Sequence, residues 1–131
     1  MTEPARRKAD IIVAAAQEHK AQDLVLLRVD HLTSLADYFL ICSGRSSRQV
    51  QALADRILEG ARLNGGYRPL GIEGQSKGQW VLMDYGEVIV HVFYHETRDF
   101  YNLEGLWLGA HKIHLDSEPS RPDLIEAESW Q

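Results

Sequence analysis

The sequence predicts one domain of the α/β or α+β class, with a mixed β-sheet of about five strands flanked by helices. Its 131 residues suffice for a single hydrophobic core. A composition of 44% hydrophobic and 25% charged residues is typical of folded globular domains. Segments with helical periodicity alternate with short apolar runs in the order α-β-β-α-β-β-β-α, which favours helices packed on a mixed sheet.

The first helix is predicted from about Glu3 to His19. Its apolar residues recur at helical spacing: Ala9, Ile12, Val13 and Ala16. Two apolar, β-rich segments follow, from Leu24 to Val29 and from Tyr38 to Ser43. The second has no polar alternation, which predicts a strand buried on both faces. The longest apolar run, from Ile11 to Ala16, is far shorter than the roughly 20 residues that span a bilayer, so no membrane partner is expected.

The second helix has the strongest periodicity in the chain. Six apolar residues lie on one face of it: Val50, Leu53, Ala54, Ile57, Leu58 and Ala61. Ser46 with Gln49 three residues later is the pattern of a capping box and predicts where the helix begins. The run Asn64-Gly65-Gly66 predicts its end, because these residues tolerate the left-handed conformation that follows many helices.

Three strands and a short helix are predicted for the rest of the domain. Residues Arg68 to Ile72 form a short strand that Pro69 and Gly71 favour at a sheet edge. The strands from Gln79 to Asp84 and from Glu87 to Tyr94 form a hairpin around a tight turn. The final helix carries its apolar residues at helical spacing: Leu103, Leu106 and Trp107.

The charge is unevenly distributed along the chain. The net charge is −5, and residues 116–131 hold five acidic residues and one basic residue, or −4. We expect a folded domain over residues 1–115 and a disordered acidic tail over 116–131, with local docking of Leu124-Ile125 and Trp130 as the alternative. The nearly neutral body has no lysine-rich stripe. Autonomous nucleic-acid binding is therefore not expected, and a basic protein partner is favoured.

Residue patterns that would support catalysis or metal binding are weak. Cys42 is the single cysteine, which excludes an internal disulfide, and a thiol in an apolar strand is normally inert. If the strand reaches His95, His91 and His95 share one face, but the local third ligands for a metal are only Glu96 and Asp99. A strand-end pair without metal, with one histidine packed and one exposed, is favoured. No Gly-x-Ser-x-Gly elbow or P-loop occurs. We therefore expect no enzyme activity and no cofactor.

Aromatic and charged residues cluster in the last third of the domain. The cluster contains Trp80, Asp84, Tyr85, His91, Phe93, Arg98, Tyr101, Glu104 and Trp107. Trp, Tyr and Arg are enriched at protein-binding hot spots, although large aromatic residues also fill cores. Trp107 lies on the apolar stripe of the final helix and is expected in the core. Tyr85 lies in a turn and is expected at the surface.

Three ordered blocks of the sequence resemble one known family. They are residues 36–44 (ADYFLICSG) with 47–50 (SRQV) and 54–55 (AD), residues 73–74 (EG) with 80–93 (WVLMDYGEVIVHVF), and residues 98–107 (RDFYNLEGLW). In these blocks the chain is similar to the ribosomal silencing factor family (RsfS, Iojap), over roughly residues 9–107. The resemblance implies a fold related to nucleotidyl transferases without their metal-binding carboxylates. The acidic tail lies outside these blocks.

The resemblance also implies a function without catalysis. Family members bind ribosomal protein L-fourteen on the large ribosomal subunit and block association with the small subunit, which represses translation when nutrients run short. A homodimer is compatible with the family. The cytosol is the expected compartment because the sequence has one cysteine and no clean secretory signal core. We predict seven partner-binding residues: Trp80, Asp84, Tyr85, His91, Arg98, Tyr101 and Glu104. Asp84, Glu87 and Glu104 are expected to steer a basic partner. A magnesium-dependent nucleotidyl transferase and a direct RNA-binding module stay open as alternatives.

Overall fold

A computed structural model describes residues 3–113 and 115 and confirms a mixed domain of helices and one sheet. The elements in this range are α1 (Glu3–Glu18), β1 (Gln22–Arg28), β2 (Tyr38–Gly44), α2 (Ser47–Gly65), β3 (Gly71–Glu73), β4 (Trp80–Asp84), β5 (Val88–Tyr94), α3 (His95–Tyr101), α4 (Leu103–Leu106) and β6 (His111–Ile113). The predicted acidic tail, with Leu124-Ile125 and Trp130, lies outside the described residues. No helix within them is long and apolar enough to cross a membrane.

The six strands form one sheet in the order β3-β4-β5-β2-β1-β6. β2 and β5 pair in parallel at its centre, with Tyr38 opposite Val88, and all other neighbouring strands are antiparallel. All seven residues of β2 are buried, as its lack of polar alternation predicts. β3 lies at one edge, as predicted, but it begins at Gly71 rather than at Arg68.

Helices α1 and α2 pack on one face of the sheet and close the larger hydrophobic core. Their apolar stripes bury Ile12, Val50 and Ile57 completely. The two helices come closest at Gly60, where an added Cβ would lie only 2.7 Å from the Cβ of Ala15. Glycine at this position therefore allows a helix contact that any side chain would push apart.

Both ends of α2 are fixed by the predicted residues, with one difference in bonding. Ser46 Oγ accepts a hydrogen bond from the Gln49 N–H at 3.1 Å. The Gln49 side chain accepts from the N–H of Arg45 at 2.6 Å, one residue earlier than a standard capping box requires. At the other end Gly66 has φ +70°, and its N–H donates to the carbonyl of Arg62 at 2.9 Å.

The C-terminal part of the domain differs most from the predicted order. The sequence predicts one short helix carrying Leu103, Leu106 and Trp107, whereas the structure has α3, α4 and a sixth strand. α3 begins directly after β5, and its N-cap Tyr94 makes no side-chain cap bond. β6 has three residues, of which the first two are exposed. α3 and β6 are too short to show a recognisable apolar periodicity in the sequence.

Candidate protein-binding surface

The sheet face opposite α1 and α2 carries a second, smaller core. It contains Leu27, Val29, Ala36, Phe39, Ile41 and Phe93. Leu103, Trp107 and Ala110 pack against it from the C-terminal segment. The Trp107 ring meets Phe39 edge-on, with 5.0 Å between the ring centroids. Trp107 therefore anchors this segment to the sheet, as its place on an apolar stripe predicts.

Four large side chains of the same segment face solvent instead of this core. Their exposed fractions are 83% for Phe100, 51% for Tyr101, 75% for Leu106 and 87% for Leu108. We call these four residues the α3–α4 patch. Single exposed leucines are common on protein surfaces, but four large apolar or aromatic side chains within nine residues are typical of an interaction site.

Trp80 connects the α3–α4 patch to the sheet. Its ring lies 4.8 Å from the Phe93 ring and 5.0 Å from the Tyr101 ring, measured between centroids. An open groove of about 400 Å³ lies beside these rings, lined by Gln79, Trp80, Tyr94, Glu96, Thr97, Phe100 and Tyr101. Its aromatic walls and single carboxylate suit an apolar or a basic side chain of a partner.

His91 lies in the sheet beside Trp80 and is almost fully buried, with 5% of the residue exposed. Its Nδ1 accepts a hydrogen bond from the Trp80 indole Nε1–H at 3.1 Å. Burial lowers the pKa of His91 to about 4, so the ring is neutral near pH 7 and carries its proton on Nε2. That Nε2 is buried and has no hydrogen-bond partner among the described residues.

His95 does not share a strand face with His91, because β5 ends at Tyr94 and His95 is the first, exposed residue of α3. The strand does not reach His95, so the two histidines share no face; one is buried and the other exposed, as the favoured interpretation without metal predicts. Within residues 3–113 and 115, no group of three His, Cys, Asp or Glu residues is placed to hold a metal ion.

Arg98 is the only buried residue of α3, and its guanidinium is engaged inside the protein. Nε and Nη2 donate to the two carboxylate oxygens of Glu104 at 2.9 and 3.0 Å, and Nη1 donates to Ser43 Oγ at 2.8 Å. The hydrogen bond from Arg98 lowers the pKa of the Glu104 carboxyl group. Arg98 and Glu104, two of the predicted partner-binding residues, thus form hydrogen bonds with each other.

Tyr85 is not exposed, so its predicted surface position is wrong. The residue is 3% exposed and packs in the larger core beneath α1 and α2. Burial raises the pKa of Tyr85 to about 12, and its hydroxyl has no hydrogen-bond partner among the described residues. The turn is held toward α1 because Lys8 Nζ donates to the Tyr85 carbonyl at 2.8 Å and to the Glu87 carboxylate at 2.6 Å.

The acidic groups expected to steer a partner are all engaged. Asp84 Oδ1 accepts a hydrogen bond from the N–H of Gly86 at 2.8 Å. Glu87 pairs with Lys8, and Glu104 pairs with Arg98. Asp84 also lies at the opposite end of β4 from the patch. Exposed carboxylates beside the patch come instead from Glu96 and Asp99 on α3.

Cys42 is not placed for nucleophilic chemistry. It is fully buried in β2, and burial raises the pKa of its thiol to about 12. Asp84 and Glu87 lie on opposite sides of the hairpin turn, so they do not form the carboxylate pair on one strand that a magnesium-dependent transferase uses.

Of the seven predicted residues, Tyr101 belongs to the patch, and Trp80 and His91 lie beside it. Arg98 and Glu104 support the same segment from inside. Three exposed residues of the patch, Phe100, Leu106 and Leu108, are absent from the predicted set. Phe100 and Leu108 are large apolar residues outside the predicted helical stripe, which is their signal in the sequence. Leu106 lies on that stripe but is exposed, so the burial that the stripe predicts for it is wrong.

Comparison with known proteins places the chain in a family. A sequence model described as "Ribosomal silencing factor during starvation" matches residues 2–130. The chain belongs to this family. It is 43% identical to "Ribosomal silencing factor RsfS" of Bacillus subtilis over 106 residues, which are 81% of this chain and 89% of the relative.

Two crystal structures of other proteins are similar in fold to this member of the ribosomal silencing factor family. A Chromobacterium violaceum protein has a TM-score of 0.75 and 33% identity, over 89% of this chain and 96% of that chain. A Bacillus halodurans protein has a TM-score of 0.73 and 35% identity, over 84% of this chain and 99% of that chain. These neighbours confirm the mixed fold.

The family membership confirms the resemblance seen in three sequence blocks. The matched region is longer than those blocks, because it continues to residue 130 and includes most of the acidic tail. The names of the relatives denote a regulatory role in ribosomal silencing rather than a catalytic one.

Proposed function

We propose that this chain binds ribosomal protein L-fourteen of the large ribosomal subunit through the α3–α4 patch and thereby blocks association with the small subunit. This action represses translation in the cytoplasm under nutrient limitation, and it requires no catalysis and no cofactor. The observation that carries the proposal is the exposure of Phe100, Tyr101, Leu106 and Leu108 on a segment that the sheet supports from behind.

The chemistry of the surface fits a basic protein with apolar anchors. The groove beside Trp80 and Tyr101 accommodates an anchoring side chain of the partner. The exposed patch supplies the apolar surface that loses its water at the centre of a protein interface. Glu96 and Asp99 add negative charge at the margin, which favours encounter with a basic partner. A specific complex of this kind needs about 800 Å² of buried surface on each partner.

The block of subunit association follows from size alone. A chain of 131 residues has a radius of gyration of about 14 Å when compact. A body of that size, held on the joining face of the large subunit, prevents the two subunits from reaching contact distance. Affinity for one ribosomal protein is therefore enough to inhibit joining.

The decisive experiment is binding of the purified chain to isolated L-fourteen without RNA, followed by a subunit-joining assay. Leu106→Ser and Leu108→Ser are expected to weaken binding about tenfold or more, as hot-spot substitutions do. Leu63→Ser is the matched control, because Leu63 is a similarly exposed leucine (64%) on α2, at the other side of the sheet.

The proposal fails if the wild-type chain leaves subunit joining unchanged at saturation, or if Leu63→Ser weakens binding as much as Leu106→Ser does. The alternative functions give different results in the same set of measurements. A direct RNA-binding module would bind large-subunit RNA without L-fourteen, with an affinity that falls steeply with salt. A nucleotidyl transferase would give a heat of binding with nucleotide and magnesium.

A further inference from the structure

The segment that carries the α3–α4 patch has few fully buried residues, and its apolar anchors Leu103 and Trp107 are only partly buried against the smaller core. α3 has seven residues and α4 has four, and helices of this length are not stable in isolation. Arg98 is the only buried residue of α3, and α4 has none. The chain reverses between them at Asn102, which has φ +48° and donates its N–H to the Arg98 carbonyl at 2.8 Å.

One polar network joins this segment to the centre of the sheet. The planar guanidinium of Arg98 donates one hydrogen bond to each carboxylate oxygen of Glu104. A bidentate ion pair of this kind is stronger and more directional than a single hydrogen bond. The third donor of Arg98 holds the hydroxyl of Ser43, a buried residue near the end of β2. The network therefore ties α3 and α4 to a central strand whose residues are all buried.

We propose that Ser43, Arg98 and Glu104 are positioning residues, which hold the α3–α4 patch in its binding shape without contacting the partner. The inference rests on the proposed function, because it assigns a role to residues behind the surface proposed to bind L-fourteen. Both carboxylate oxygens of Glu104 accept hydrogen bonds from Arg98, although 35% of the Glu104 side chain is exposed, and the Arg98 side chain is 9% exposed. A segment that is ordered before binding loses less conformational entropy on binding.

The test is Glu104→Gln, which keeps the shape of the side chain and removes its charge. Hydrogen exchange of residues 98–108 is expected to become faster while exchange in β2 and β5 stays unchanged. Affinity for L-fourteen is expected to fall about tenfold if the binding shape drops to about a tenth of the population, and the loss appears mainly as slower association. Measurement in 0.3 M salt screens long-range charge effects.

Two further variants separate positioning from charge. Glu59→Gln is the matched control, because Glu59 pairs with Arg56 at 3.4 Å on the surface of α2, and its loss is expected to leave binding unchanged. Arg98→Lys keeps the positive charge but replaces the planar fork by a single ammonium group. It is expected to weaken binding as much as Glu104→Gln does, with the same local increase in exchange.

The outcomes distinguish this inference from the function on which it rests. Weaker binding of Glu104→Gln with unchanged exchange of residues 98–108 would show direct contact and overturn the positioning role. Faster exchange with unchanged affinity would also overturn it, since the shape would then not limit binding. If the wild-type chain does not bind L-fourteen at all, and Leu106→Ser behaves like wild type, the proposed function has failed and the positioning role is withdrawn with it.

Discussion

The indole N–H of Trp80 donates to Nδ1 of His91 across the β4–β5 pair at 3.1 Å. Trp80 is directly opposite Phe93 and His91 is opposite Leu82, so the bonded residues are diagonal neighbours on one face of the sheet. The bond requires a neutral imidazole, because a protonated ring has no acceptor. The orientation of Trp80, and with it one wall of the partner groove, therefore depends on the charge of His91.

Acidification is expected to destabilise the domain through His91. Burial lowers its pKa from 6.5 to about 4, so between these values the unfolded chain binds a proton that the native protein does not. Stability is therefore lost as the pH falls from about 6.5 to about 4, by up to about 3 kcal/mol from this residue. Urea unfolding monitored by tryptophan fluorescence at several pH values measures the loss.

His91→Asn provides the control for this titration. Asparagine keeps an acceptor for Trp80 but does not ionise near neutral pH. The variant is expected to be less stable than wild type at pH 7 and to show a flatter pH profile above pH 4.5. An equally steep profile in the variant would mean that other groups carry the pH dependence.

Tyr85→Phe is expected to fold normally and to bind L-fourteen like wild type. The buried hydroxyl has no partner among the described residues, so its removal changes the free energy of unfolding by at most about 1 kcal/mol and in the stabilising direction. Tyr85→Ala instead leaves a cavity and is expected to cost about 3–5 kcal/mol. Thermal unfolding compares the three proteins, and a stable Tyr85→Phe with weakened binding would contradict the buried position.

Cys42 is expected to resist thiol reagents in the native protein. Full burial and a pKa raised to about 12 leave no thiolate accessible at pH 8. An aromatic disulfide reagent followed by absorbance is expected to react only at the rate of unfolding, and quickly in 6 M guanidinium. Rapid labelling in native buffer would show that β2 opens locally.

Gly60→Ala is expected to destabilise the domain although alanine favours helices. The gain in helix propensity is about 1 kcal/mol. The new methyl group would lie 2.7 Å from the Cβ of Ala15, and overpacking of this kind typically costs 1–3 kcal/mol. The double variant with Ala15→Gly is expected to recover part of the loss in chemical denaturation. A higher melting temperature for Gly60→Ala alone would indicate that the helices separate easily.

The parts of the fold that follow a strong apolar period could be predicted from the sequence. The stripe of α2 and the apolar run of β2 report burial directly, and the cap residues Ser46 and Gly66 mark the helix ends. β6 could not be predicted, because a three-residue strand with two exposed positions has no period. α3 was hidden because its first residue follows β5 without a breaker.

The candidate site was predicted only in part, for a physical reason. Aromatic and charged residues are enriched both at interfaces and in supporting networks, so residue type did not separate exposed Tyr101 from buried Tyr85 or His91. Phe100 and Leu108 lie outside a helical stripe, and nothing in one sequence shows whether such residues are packed or free. Only the exposed fractions in the structure separate residues that a partner can reach, such as Tyr101, from buried residues such as His91 and Arg98.

The parallel pairing of β2 with β5 can form only late in the synthesis of the sheet. β2 can pair with β1, which precedes it in the chain, but it cannot pair with its parallel neighbour β5 until the chain has grown by 50 residues, from Tyr38 to Val88. At 5–20 residues per second, this interval lasts roughly 3–10 seconds. Throughout it, one edge of β2, a strand whose residues are all buried in the native sheet, stays unpaired. The central parallel pair of a protein proposed to silence ribosomes can thus form only after β5 has been translated.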